Sequence, residues 1–488
     1  MIKKLFSSII SGFSVQKAVF VFLCLAYLVV ASLQSLVQHE QFLTNTWDLG
    51  FHNQLMYKFS HFKIPGTTLW NANYPLTCFL GDHVTLLMPL NSQLYWLFGS
   101  YTLLIVQILY GLVGALGLYK LINYKFESPN LALAGVILFF THYSLYSALD
   151  FDAHDNVYGM MLLPWMLYFY YKENLKLFLI SLGIFLLARE DLALTSIMLS
   201  LCILIFEWKT KWKYGLSCFI ISVVYFFITY KLIIPHFSPL PEGGYAAWRF
   251  THLGASMQEV MTNALINPGR FLSLMFDGIE KQEKLKYFLY TGGILFFIRP
   301  QFALLVVPTF FTTCLSNSWT LWGNMYHYNI LFAVLLPFLI VSVIVMLKSN
   351  FFRAALMFAA FYLNLHYLEK NFFHDWRNFK RIFTEDYYHQ RSNQNEIEEG
   401  LKLIPSDAAV SANNYYTPHL AFREKAYFFP DVKDAEYVVL NEADGKDRFY
   451  PFESPDKFLE AVSQLRDSSA FEIVYEKNQM LIFKRRGK

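Results

Sequence analysis

Acids and imidazoles recur in this 488-residue chain in short clusters beside long apolar runs. The stretch "TWDLGFHNQ" carries Asp48 and His52 four positions apart, which on a helix puts both on one face. "LGDHVTLLMPL" carries Asp82 and His83, and "LDFDAHDNVYG" packs Asp150, Asp152, His154 and Asp155 into one short segment. "FLLAREDLALTSIM" sets Arg189, Glu190 and Asp191 between two apolar runs. A carboxylate in a low-dielectric site can take a proton as general base. Carboxylates and imidazoles together can hold a divalent cation, although no single-metal ligand set follows from these spacings. The Arg189 fork matches phosphate oxygens. Further along, Arg249, His252 and Arg270 lie in a long loop and His327 in "WGNMYHYN", types suited to an anionic head group and a sugar ring. Plainer readings compete at each point. Asn45, Thr46 or Asp48 would serve as a helix N-cap, Asp82 and His83 likewise, and "ARED" as a self-satisfied turn.

Whatever positions these residues lies largely in lipid. The chain is 55% hydrophobic and only 16% charged, against about 25% charged in soluble domains. With a span needing about 20 apolar residues, or fewer in a crowded bundle, about eleven transmembrane segments are expected. They fall near 17–37, 101–119, 130–147, 156–171, 176–188, 192–206, 214–233, 286–298, 301–315, 329–347 and 351–368. The segment 84–98 carries Pro89, Asn91, Ser92 and Gln93 and reads as an interfacial helix. The basic residues Lys3, Lys4, Lys120, Lys125, Lys172, Lys176, Lys209, Lys211, Lys213, Lys348 and Arg353 then all fall on the cytoplasmic side. The other side receives the first loop, 38–100, every cluster named above, and the tail. Ionisable groups at span ends are costly enough to invite a functional reading.

From Glu369 the composition changes. Strand-like pieces "AAVSA", "AEYVVLN" and "MLIFKR" alternate with helical ones such as "DKFLEAVSQLR", as in a small soluble α/β domain over 369–488. The five cysteines form no CxxC and read as small buried hydrophobes. The net charge of +3 gives no reason to expect a nucleic-acid partner, and no phosphate-binding glycine loop or HExxH is present in a suitable context.

In their order along the chain, "WDLGFHNQ", "GDHVTLLMPL", "FDAHDN", "AREDLAL" and "IPSDAAVSANNYYTPHLAFREKAYFFP…AEYVVLN" resemble a family of bacterial predicted membrane proteins of unknown function. That family looks like a branch of the GT-C class of integral-membrane glycosyltransferases. The resemblance covers about Thr46 to Asn441. It implies a GT-C-like helical bundle over 1–368, interfacial helices at 51–63 and 84–98, and a polyprenyl-phosphate-linked sugar as donor. It puts Asp48 where such enzymes keep the catalytic acid. The family's DFH-type motif appears as Asp152-Ala153-His154, and its Lys-Glu-Asp as Arg189-Glu190-Asp191, which keeps the cation. Some branches carry two adjacent acids at the first motif, but here Asp48 is followed by Leu49.

The expectation is therefore a multi-pass protein of the bacterial inner membrane that moves a sugar from a polyprenyl-phosphate donor to an acceptor outside the cytoplasm. Asp48, His52, Asp152 and His154 are the candidate catalytic residues. Asp82, His83, Asp155, Arg189, Glu190, Asp191, Arg249 and His327 are the candidates for holding substrate and phosphate. No cofactor is assigned, and a divalent cation stays open. Two other classes compete: a transporter or flippase for a lipid-linked or anionic solute, and a non-catalytic sensor or assembly protein. A transporter would place its charges near midplane and often shows inverted repeats. Here the charges crowd one face and no repeat is evident.

Overall fold

The computed structural model describes residues 14–69, 78–238, 248–371, 378–389, 393–445 and 449–487. Lys3 and Lys4, on which the cytoplasmic N-terminus rests, lie outside the described residues. The chain packs as two compact units. One combines residues 1–34, 107–228 and 248–380; the other combines 35–106, 229–247 and 381–488.

Among the described residues, five helical stretches are long and apolar enough to cross a membrane: Val15–Glu40, Leu87–Phe126, Leu192–Phe237, His327–Met346 and Asn350–Lys370. A sixth arises if Pro129–Phe140 and Tyr143–Asp150, bent by 44°, count as one span. Leu175–Leu186 and Pro300–Cys314 are shorter apolar helices. Every expected segment falls on helical backbone, but several are broken. Gly292, at φ 134°, separates the helix Ile279–Tyr290 from a short turn of helix at Gly293–Phe297. Prolines head other pieces, as at Pro129 and Pro300, where the missing N–H costs nothing.

In the first unit, Leu192–Ile228 is interrupted at Glu207 and Lys211, whose backbone is not helical. The basic run "EWKTKWK" is thus the turn between two expected spans. The two arms pack closely: Ser196 Oγ donates to Ser222 Oγ at 2.7 Å, Cys218 Sγ to the Ser196 carbonyl at 3.3 Å, and a Cβ at Gly215 would lie 2.6 Å from Leu204. Ile330–Met346 is apolar on all sides and buried from Ile330 to Ile344. Such a helix has no face for water and becomes the core of its unit. The five cysteines are free thiols, four of them buried.

The second unit joins the first loop to the C-terminal region. The helices expected at the interface are Phe51–Ser60, buried at eight of its ten positions, and the broken run Leu87–Asn91, Ser92–Leu94, Tyr95–Phe98. Leu90, Trp96 and Leu97 of that run point outward, as an interfacial helix requires. The sheet comprises β1 (Val410–Ala412), β2 (Ala426–Phe428), β3 (Tyr437–Asn441), β4 (Phe471–Lys477) and β5 (Met480–Arg485), in the order β2-β1-β3-β5-β4. β1 is parallel to β2 and β3, whereas β5 is antiparallel to β3 and β4. Alternation sorts the side chains to two faces. Val439 and Ile482 pack with Phe42, Ile397 and Tyr416 on one, and Val438, Leu440, Leu481 and Phe483 pack with Phe458 and Val462 on the other. The sequence reading anticipates β1, β3, β5 and the helix Pro455–Arg466. Two strands are not anticipated: β2, three residues long, and β4, whose register shifts between Ile473 and Tyr475.

Candidate functional site

Asp48 does not share a helical face with His52. The helix starts at Phe51, and Asp48 precedes it at φ 73°, ψ −84°. That lies close to a γ-turn of positive φ, a rare and strained conformation for a residue with a Cβ. Nor does any side chain cap the helix: its N-cap is Gly50. The turn is held by backbone bonds, Gly50 N–H to the Asn45 carbonyl at 3.1 Å and Phe51 N–H to the carbonyls of Thr46 and Asp48. A residue kept at such a point costs on the order of 1–3 kcal/mol, and strain of this kind concentrates at functional sites. Asp48 is half-buried, and its neighbours Thr46, Leu49, Gly50 and His52 are buried.

Asp82 and His83 belong to the same unit and do not cap either. They follow a helical turn at Phe79–Gly81, and the next helix opens four residues later at Leu87, with no side-chain cap. The Phe79 ring links the groups: it lies 5.7 Å from the His52 ring and 6.1 Å from the His83 ring. Gly81 is there because the backbone of Phe237 presses on it; a Cβ would come within 2.4 Å of the Phe237 carbonyl oxygen. Below, Lys58 and Lys63 both grip Glu424. Burial pushes the Glu424 carboxyl up, but the bonds from the two ammonium groups outweigh it and hold it below its ordinary value.

The segment "LDFDAHDN" lies in the other unit and is buried throughout Asp152–Asn156. Its shape is set by two glutamines that the sequence reading passed over. Gln34 donates to Asp150 Oδ1 at 2.6 Å. Gln107 donates to the carbonyls of Ala148 and Asp152 and accepts the His154 N–H at 2.9 Å. Asp152 again has positive φ, 52°. The available signal was a polar amide inside an apolar run, costly unless partnered. His327, distant in sequence, stacks on His154 with ring centroids 3.6 Å apart, and Phe151 continues the stack. The His327 loop is anchored through Asn324. Its Oδ1 accepts from Asn329 at 3.0 Å, and its carbonyl accepts from Ser147 at 2.8 Å and Asn371 at 3.3 Å.

In "ARED", Arg189 turns its Nε–Nη2 edge on Asp191, at 2.8 and 2.5 Å, the self-satisfied turn of the plainer reading. A phosphate would have to compete with that carboxylate for the fork. Glu190 is fully buried. Arg249 is exposed and offers its carbonyl to Asn317 N–H. Asp155 opens the helix Asp155–Met160, where a negative charge suits the helix dipole. Among the described residues, no group of three His, Cys, Asp or Glu side chains is arranged to hold a metal ion.

A multi-pass helical membrane protein with a polar first loop and a small C-terminal sheet has the architecture expected of the GT-C type. Two crystal structures share it over 96% of this chain and 97% of theirs, both of ArnT from Cupriavidus metallidurans. One is bound to undecaprenyl phosphate (TM-score 0.51) and the other is in the apo state (TM-score 0.53). Sequence identity is 12% in both, so the likeness is one of fold. The chain belongs to the family described as predicted membrane protein (DUF2079), whose model matches residues 38–482. No curated protein matches it by sequence.

Proposed function

We propose that this protein is a glycosyltransferase that takes a sugar from a polyprenyl-phosphate-linked donor and passes it to an acceptor outside the cytoplasm. The observation that carries the reading is Asp48, held at φ 73° in the turn that follows the first long helix. The fold shared with ArnT, one of whose structures binds undecaprenyl phosphate, supports the choice of donor class. On this reading Asp48 removes the proton from an acceptor hydroxyl as its oxygen attacks the anomeric carbon. The bond from that carbon to the phosphate oxygen breaks, and the electron pair leaves with the polyprenyl phosphate. The proton passes from Asp48 to water.

His52, Asp82 and His83 orient the base and the acceptor. Asp152, His154, Asp155 and His327 bind the sugar. Arg189, on releasing Asp191, and Arg249 neutralise the leaving phosphate, with Glu190 and Asp191 holding Arg189 in place until then. The protein sits in the bacterial inner membrane, with residues 369–488 forming an outer domain.

The test uses the purified chain in nanodiscs with a panel of synthetic undecaprenyl-phosphate hexoses and an envelope extract as acceptor source. Release of undecaprenyl phosphate is followed by mass spectrometry. Asp48→Asn should slow release by about 100-fold or more, the range of general-base contributions. Full release by that variant would remove Asp48 from the role of base.

A further inference from the structure

The strained turn at Asp48 does not stand alone. A segment of the C-terminal region, "NNYYTP" at 413–418, brackets it on both sides within one compact unit. Ahead of Asp48, Asn414 makes three bonds. Its Oδ1 accepts the Thr46 N–H at 2.9 Å, its Nδ2 donates to Asn45 Oδ1 at 3.0 Å, and its backbone carbonyl accepts the Thr46 hydroxyl at 2.9 Å. Behind Asp48, the Pro418 carbonyl accepts Asn53 Nδ2 at 3.0 Å, and Thr417 and Pro418 lie 3.4 Å from where a Gly50 Cβ would be. The bracket is itself rigid. Thr417 Oγ1 bonds the carbonyls of Ala412 and Asn413, Tyr416 is fully buried, and its hydroxyl accepts from Asn441 at 2.8 Å.

We propose that Asn414 is a positioning residue for Asp48, so that a segment of the C-terminal region holds the first-loop carboxylate in its reactive place. The inference rests on the reading of Asp48 as base. A turn of this conformation persists only where its surroundings over-determine it. Local backbone bonds close the loop behind Asp48, whereas the N–H of Thr46 is held by Asn414, from 368 positions away. Asparagine is suited because it must accept from one neighbour and donate to the next at the same end of its side chain. Alanine offers neither bond. Aspartate keeps the acceptor for Thr46 and meets Asn45 by rotation of that amide.

The experiment compares wild type, Asn414→Ala and Asn414→Asp as full chains in nanodiscs. Amide hydrogen exchange is read over residues 44–50, with β1, β3 and β5 as internal controls. Release of undecaprenyl phosphate from the hexose panel is read as kcat and KM. In Asn414→Ala, exchange at Thr46 and Gly50 should accelerate at least about tenfold while the strands stay protected. The kcat should fall roughly 10- to 100-fold, the scale of a catalytic group displaced by about an ångström, with KM held within about twofold. Asn414→Asp should recover most of both. Unchanged exchange over 44–50 in the alanine variant overturns the proposal, as does exchange that rises equally in the strands. Faster local exchange with unchanged kcat overturns the link to Asp48. If wild type releases no undecaprenyl phosphate from any donor, the transferase reading falls, and the exchange arm alone decides whether Asn414 holds the turn.

Discussion

Asp48 carries a side chain at a backbone position that glycine would occupy without strain, and that cost is stored in the folded state. Two variants that both remove the carboxylate separate the strain from the chemistry. Asp48→Gly should unfold about 1 kcal/mol later than Asp48→Ala in thermal or denaturant melts, reversing the usual order of those residues. Equal stabilities would show that the turn relaxes once the carboxylate is gone. A second residue-scale expectation concerns Asp434, whose carboxyl is held down to about 2 by the Lys425 ammonium and then the Tyr427 hydroxyl. A depressed folded-state value stabilises above the unfolded value of about 3.9 and loses that contribution as pH falls towards 2. The wild-type advantage over Asp434→Asn should therefore be present at pH 6 and vanish between about pH 4 and 2, in melts read at each pH. Both partners are about half exposed, so the advantage is small.

Elements hold the candidate residues through close approaches that tolerate no extra atom. Gly81, one residue before Asp82, faces backbone rather than a movable side chain. Gly81→Ala should cost about 1–3 kcal/mol, the range for overpacking, and should disturb the Asp82–His83 segment. Gly183, inside the helix Leu175–Leu186, has nothing within 4 Å of a new Cβ. Gly183→Ala should be neutral or stabilising by up to about 1 kcal/mol, because only helix propensity acts there. Equal melting shifts for the two variants would count against the close packing of Gly81 on Phe237. The glutamines act at the same scale: Gln34 and Gln107 sit in helices otherwise made for lipid or core, and each ties a helix to the "LDFDAHDN" segment.

For the whole molecule, the membrane-spanning character is established, and the proposed chemistry depends on which side the clusters face. Fusions of green fluorescent protein after Lys211 and alkaline phosphatase after Glu369 read this directly. Fluorescence at the first and phosphatase activity at the second are expected from the basic loops. The opposite pair of signals would put Asp48 on the cytoplasmic side and remove the outer acceptor. One fold can host many chemistries, so the donor assay is the deciding measurement for function.

By itself the sequence determined what local patterns encode. Long apolar runs marked the spans, because a bilayer core asks for length and hydropathy before anything else. Short strand-like runs between helical pieces mark β1, β3 and β5, and the clustered acids and imidazoles mark the candidate segments. Spacing misled where it assumed a helix: Asp48 and His52 are four apart, yet only His52 is helical. The tertiary structure decided the rest. It set Asp48 in a strained turn, bonded Thr46 to Asn414, stacked His154 on His327, and spent the Arg189 fork on Asp191. Hydropathy is a property of neighbours along the chain and leaves a periodic trace. A hydrogen bond or ring contact between segments hundreds of residues apart leaves none, and exists only once packing has brought the two together.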